Sequence, residues 1–318
     1  MILLPRLTRG IVPLIAALLL IVDVRPIAVA ADGGPILMIT SQETSPYKEV
    51  VSGFRQYFAS RNGFAALLEE HSLQGDTSKA AQIFKEAKTR HPQLLLTIGS
   101  LATQTALQEA PELPTVASMI LSADELKQST NATGVVLDFP LETQLQWIQK
   151  VTPQVKTVGV LFNPAVNRAK IEAATKVAQS LGLTLLPGEV ETPQALPDAL
   201  ESLARRAEVL WGITDSMVLS PQTAEPILLF SFRNRIPFTG LSISWAKAGA
   251  LYALDRDYKD VGMQCGELAA RILKGTAPNT IPPVTPRKVV YALNLKAAEH
   301  MKIEIPQAVI DGAQQIFR

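Results

Sequence analysis

The residues best suited to chemistry in this chain are polar side chains set directly behind short apolar runs. Ser100 follows LLLTIG and opens the stretch LATQTALQ, Asp215 closes EVLWGITD, and Asn163 closes VGVLFN. A hydroxyl beside the free N–H groups of a helix's first turn suits a carboxylate. Ser100 serves equally well as a plain helix cap, and the two roles are compatible. An aspartate behind a strand can take an ammonium group or accept from hydroxyls, its alternatives being a cap or a hinge contact. Asn163 precedes Pro164 and suits an Asx-type turn, with Asn167 an equal choice as helix cap. Trp245, and less well Tyr47, offer aromatic faces for stacking. None of these forms a nucleophile–base pair. The chain has no Gly-x-Ser-x-Gly elbow, no GxxxxGK followed by Ser or Thr, and no His-Glu-x-x-His. His71, His91 and His300 are scattered along it. The pattern is one of binding without turnover, so no catalytic residue, metal or cofactor is expected.

Elements must hold these residues, and their order occurs twice. From Ile36 an apolar strand (ILMITS), a helical stretch over 47–61, the strand AALLEEHS, a helix over 78–91 and the strand LLLTIGS follow one another. From Thr157 the order returns as TVGVLFN, a helix over 167–181, LTLLPGEV, a helix over 193–206 and EVLWGITD. Continuous apolar strands belong to parallel sheets buried on both faces. The fold class expected is α/β, with two doubly wound parallel-sheet lobes. Ligands of such sheets sit beyond the carboxyl ends of the strands, so the cleft between two lobes is the expected site. That rule selects Ser41, Gln42, Ser100, Ser118 and Met119 from the first lobe. From the second it selects Asn163, Asp215, Ser242 and Trp245, with IPFTGLSIS read as a strand and Trp245 placed in the loop behind it. Gln42 and its neighbour Glu43 are weaker choices, because that loop also suits solvated surface. The crossovers are expected near Asp138–Pro140, where Asp138 reads as structural, and in AGALYALDRD. The helix over 258–274 is expected to return to the first lobe. The divisions are a leader over 1–30, a first lobe over 31–138 with about 256–280, and a second over 139–255 with about 281–318. Segments that run back and forth between lobes form a hinge.

Composition narrows the setting. The 318 residues carry a formal net charge of +1 and no run of like charge, which gives no footprint for nucleic acid. Arg6 and Arg9, the apolar run IVPLIAALLLIV and the small residues Ala28 and Ala30 have the layout of a cleavable export signal. That run falls short of the roughly 20 residues a spanning helix needs. Cys265 is the one cysteine, so no internal disulfide forms and no thiol near the leader accepts a lipid. Its place in a helical pattern marks it as a small core side chain. A freely diffusing periplasmic monomer is the expectation.

Longer segments add a family resemblance. QGDTSKAAQIFKEAKTRHPQLLLTIGSLATQTAL, NATGVV, VGVLFNPAVN, EVLWGITDSMV, IPFTG, AGALYALDRDYKDVGMQCGELAARILKGTAPNTIPPV and LNLKAAEHMKIEIP occur in that order over some 250 residues. In this the chain resembles the ABC-transporter substrate-binding proteins related to tryptophan and tyrosine binders, a branch of the type I periplasmic-binding fold. The resemblance implies a small polar solute, with an amino acid as the family-led choice, and an inner-membrane permease as partner. The alternative with the same fold is a ligand sensor that presents its closed form to a membrane signalling protein. A repressor of this architecture would carry a DNA-binding motif where this chain has its leader. The chain departs from the family in ASMILSADELKQSTNATG, which lacks the usual Asp-Pro and carries the apolar Met119-Ile120-Leu121. A specificity altered from the family's is expected there.

Overall fold

The computed structural model describes residues 34–60, 67–76 and 78–318. The expected leader over 1–30 lies outside the described residues.

The first half builds β1 (Ile36–Thr40), α1 (Ser45–Ala59), β2 (Leu68–Ser72), α2 (Ser78–Lys88), β3 (Leu94–Ile98), α3 (Ser100–Glu109), β4 (Thr115–Ile120) and β5 (Ala132–Val136). The strands form one fully parallel sheet in the order β2-β1-β3-β4-β5. The apolar runs are unbroken because both faces are covered. Ile36, Met38, Leu94 and Leu96 pack on the α1 side, while Leu37, Ile39 and Leu95 pack against Phe84 and Ala102 of α2 and α3. Each such side chain stabilises the fold by about 1.5–3 kcal/mol relative to exposure. Asp76 supports the start of α2 by accepting from the Ser78 N–H at 2.8 Å.

The second half continues with α4 (Leu141–Val151), β6 (Thr157–Phe162), α5 (Pro164–Ser180), β7 (Thr184–Glu189), α6 (Leu196–Leu203), β8 (Val209–Trp211), α7 (Pro221–Asn234), β9 (Phe238–Gly240), α8 (Ile243–Ala248) and β10 (Tyr252–Arg256). After α9 (Tyr258–Leu273) come β11 (Val289–Asn294), α10 (Leu295–Met301), α11 (Gln307–Asp311) and β12 (Gln315–Phe317). The seven-stranded sheet has the order β12-β11-β10-β9-β8-β6-β7. β7 carries Pro187 in a ladder yet is tolerated, because it is the edge strand and its outer side needs no donor. The β10–β11 pair is antiparallel. The chain has crossed to the first sheet and back between those strands, so β11 enters the second sheet from the opposite end.

Two readings of the sequence are corrected here. EVLWGITD pairs only over Val209–Trp211, and the later residues form the loop beyond the strand end. IPFTGLSIS pairs only over Phe238–Gly240, after which the chain turns into α8. The turn is enforced from a distance, since Asp255 Oδ2 accepts the Ile243 N–H at 3.1 Å and stabilises the first turn of α8.

Three segments cross side by side between the sheets: 137–140, 256–257 and 284–288. Val284 pairs with Val135, exchanging backbone hydrogen bonds with Val136 and Gly134 at 2.9 Å each. The middle crossing delivers α9 to α1. The two helices touch backbone to backbone, since a Cβ added at Gly262 would lie 2.0 Å from the Val50 carbonyl oxygen. Glycine is therefore required at that contact.

Candidate functional site

The carboxyl ends of β1, β3 and β4 form one wall. Ser41, 4 % exposed, accepts the Ala102 N–H on Oγ at 2.9 Å. Ser41 thus caps α3 from another strand, and Ser100 does not, which corrects its expected capping role. Gly99 is the residue before the helix, with φ of 100°, and a Cβ there would strike Ser41 Oγ and the Tyr47 ring. Ser100 is half-buried at the first helical position. The first backbone bond into α3 is Thr103 N–H to the Gly99 carbonyl, so the Ser100 and Leu101 amides lie ahead of it and face out from the helix end.

Gln42 and Glu43 are exposed on the rim. Glu43 accepts from Gln74 Nε2 at 3.2 Å, and hydrogen bonds from Gln74 and then Ser72 hold its carboxyl below the usual carboxylate range. Gln74 itself sits in the left-handed region, φ 51°, beside Gly75. A shallow hollow of about 320 Å³ lies there, bounded by Gln42, Glu43, Tyr47, Glu70 and Ser72.

Ser118 is turned into the core, and Met119 is partly buried at the end of β4. Ser118 is fully buried, and its hydroxyl faces the Cys265 thiol. Burial pushes that thiol up to about 12, against a small opposite pull from Ser118, so Cys265 is an inert core group. Met119 is left-handed, φ 56°, at a bulge between Ser118 and Ile120. The bulge breaks strand alternation and lays Met119 on the apolar layer of Val261 and Cys265.

The second wall is the carboxyl edge of β6, β8 and β9. Asn163 caps α5, its Oδ1 accepting from the Ala165 N–H at 3.0 Å, the turn its position before Pro164 suggested. Asp215 is 5 % exposed, and both of its oxygens are engaged by the protein. Oδ2 accepts from the Asn163 N–H at 2.7 Å and Asn167 Nδ2 at 2.8 Å. Oδ1 accepts from the Met217 and Val218 N–H groups at 3.1 and 3.0 Å. Asp215 therefore ties β6, α5 and the loop after β8 together, which corrects the picture of a carboxylate standing free for an ammonium group. Ser242 precedes α8, half-buried, with no capping bond from its side chain. Trp245 lies inside α8, not in a loop. Its ring is tilted on Phe238 at 5.4 Å and packs into the layer of Leu161, Leu210 and Phe238, so that aromatic face is taken by the core.

The crossovers supply what the strand-end rule omitted. A narrow crevice at the hinge is lined by Asp138, Phe139, Gln144, Trp211, Thr239 and Arg256. The crevice takes only about 20 Å³, enough for one polar group and not for a whole solute. Trp211 Nε1 donates to Gln144 Oε1 at 3.1 Å, and Gln144 Nε2 donates to the Phe139 carbonyl at 2.7 Å. Lys170 pairs with Asp138 at 2.6 Å. Arg256 donates from Nε to the Leu137 carbonyl at 2.8 Å and from Nη1 to the Leu241 carbonyl at 3.2 Å. Its guanidinium lies 4.6 Å over the Phe139 ring. Arg256 and Asp138 were legible as crossover residues. Their contribution to the cleft follows once crossovers are counted among its walls. Among the described residues no group of three or more His, Cys, Asp or Glu could hold a metal. No helix among them is long and apolar enough to cross a membrane.

Comparison with known proteins gives a consistent result. The family model for ABC transporter substrate binding proteins matches residues 48–317. A tyrosine-binding protein of Clostridioides difficile is 22 % identical over 256 residues, covering 76 % of this chain and 73 % of the relative. A Streptococcus pneumoniae ABC domain solved with L-Trp superposes with a TM-score of 0.63 at 20 % identity, over 90 % of this chain and 100 % of that one. The ligand-free, open structure of a Clostridium difficile substrate-binding protein with adhesive properties gives 0.73 at 18 % identity, over 89 % and 99 %. These superpositions agree with the two-lobed fold.

Proposed function

The chain belongs to the family of ABC transporter substrate-binding proteins, and on that premise we propose that it works outside the cytoplasm as the solute receptor of an importer. It closes its two lobes on a small polar organic solute and presents the closed form to an inner-membrane permease, without chemical turnover. The observation that carries the reading is the arrangement of strand ends. β5 and β10 run from their carboxyl ends into the crossing segments 137–140 and 256–257, and the parallel ladders put the carboxyl ends of β1, β3 and β4 on the edge of β5 and those of β6, β8 and β9 on the edge of β10; ligands of open parallel sheets sit at such edges. Only a solute that touches both walls favours the closed form, which gives a partner its readout. In this reading 31–138 with about 256–280 form one jaw, and 139–255 with about 281–318 the other. The tyrosine-binding relative and the L-Trp complex support an aromatic amino acid as the first solute class to test.

The experiment is small-angle scattering on the purified protein with and without a solute selected by thermal shift. A ligand at 100 times its Kd stabilises the folded state by about 2.7 kcal/mol, which a melting curve detects. The expected result is a smaller radius of gyration with the solute bound. A bound solute that leaves the scattering curve unchanged overturns closure.

A further inference from the structure

Resting on that reading of the cleft, we propose that Arg256 is the clamp for a solute carboxylate, so that the protein selects carboxylic acids over their amides and amines. The argument begins with charge. Of the three carboxylates near the second wall, Asp215 is saturated by four N–H donors. Asp138 is paired with Lys170 and accepts from Gln144. Asp255 accepts from the Ile243 and Arg256 amides and from the Tyr258 hydroxyl. No acidic group is left open to receive an ammonium ion there. Arg256 is the opposite case. Its Nε and Nη1 hold the Leu137 and Leu241 carbonyls, and Nη1 lies 3.9 Å from Asp255 Oδ1, at the outer limit of an ion pair. The Tyr258 hydroxyl is a further partner, and a guanidinium carries five N–H donors in a fixed fork, so donors remain beyond these three acceptors.

Geometry places Arg256 in the lining of the crevice. The guanidinium is held in one plane by the Phe139 ring beneath it and by the two carbonyls at its sides. The side chain is 11 % exposed and lines the crevice together with Thr239. A crevice with room for one polar group fits the carboxylate end of a solute, the rest of which extends between the lobes. A charge-assisted bond in a part-buried, preoriented site is stronger than a neutral one. Arg256 lies in one crossing segment and holds the Leu137 carbonyl of another, so a carboxylate docked on it bears on segments that must bend for closure.

The test is the ratio of affinities for L-tyrosine and L-tyrosinamide, measured by calorimetry on the wild-type protein and on Arg256→Gln, after a thermal-shift screen of carboxylic acids, their amides and nucleosides. Should another acid of the screen bind in place of L-tyrosine, that acid and its amide form the pair. The wild type is expected to favour the acid by at least about tenfold, as loss of a charged hydrogen bond implies, and Arg256→Gln is expected to abolish the preference. If Arg256 only stitches the crossovers, the variant weakens acid and amide alike and leaves the ratio unchanged, which overturns the proposal. A wild type that takes no carboxylic acid, or takes acid and amide equally, also overturns it. Compaction on binding a neutral solute such as a nucleoside would leave the two-lobe reading standing while this clamp fails. A variant that keeps its preference returns the carboxylate to the first turn of α3.

Discussion

The carboxylate of Asp215 accepts the backbone N–H of Asn163 at 2.7 Å, across 52 positions of sequence, and so joins the end of β8 to the end of β6. The same group holds the Asn167 side chain at the start of α5 and two amides of its own loop. A polar group at a strand end thus organises the wall of the cleft from within.

Asp215→Ala is therefore expected to act on stability first. It leaves the buried Val218 amide and the Asn167 side-chain amide without their acceptor, and an unsatisfied buried donor costs about 1–3 kcal/mol. A loss of about 3 kcal/mol in urea unfolding is expected, with the m-value unchanged. A variant as stable as the wild type, with a change confined to solute affinity, would restore Asp215 to the ligand.

A second expectation concerns the return of α9 to α1. Gly262→Ala places a methyl group 2.0 Å from the Val50 carbonyl oxygen, where the opposing atom is backbone and cannot swing away. Overpacking of this kind commonly costs 1–3 kcal/mol, and a contact against backbone lies at or beyond about 3 kcal/mol. The helices must separate, so the Cys265 thiol, buried on the same helix, should become accessible to a thiol reagent while the wild-type thiol stays protected. Equal labelling rates and equal melting temperatures in the two proteins would show that the contact gives way cheaply.

These two cases mark what the sequence discloses. The parallel strands stand out because Ile36, Leu37, Met38 and Ile39 are apolar on consecutive positions, a consequence of helices on both faces of the sheet. The end of β9 did not, since the turn into α8 depends on Asp255, twelve residues on, and local propensity carries no trace of it. The candidate site divides in the same way. Asn163 was readable as a turn because its partner, Ala165, lies two residues away. Ser41 and Asp215 have partners 61 and 52 residues distant, and only the folded chain shows that their oxygens are already engaged. Trp245 and Trp211 exchange places for a similar reason. The first is drawn into a helix against Phe238, and the second is brought to the crevice by a bond to Gln144, 67 residues away.

The last expectation is a pH dependence with a defined sign. Glu208, just before β8, accepts on Oε2 from the Lys156 N–H at 2.6 Å, the Thr157 N–H at 2.8 Å and the Thr157 hydroxyl at 3.0 Å. These bonds, the Lys156 amide foremost, hold its carboxyl below the usual carboxylate range. A group whose folded pKa is depressed contributes stability that is present above its unfolded pKa and is lost as pH falls through the folded one. Glu208→Gln should therefore lower stability at pH 7 by about 1 kcal/mol, the scale of a partly solvated hydrogen-bonded group. The gap between variant and wild type should narrow steadily below pH 4.5, as the wild-type carboxylate takes up its proton and becomes the weaker acceptor that the amide already is. Paired urea titrations at pH 7 and at successive steps below 4.5 measure that gap. A difference that stays constant with pH would mean that Glu208 acts through packing alone and that its charge does nothing to hold β6 beside β8.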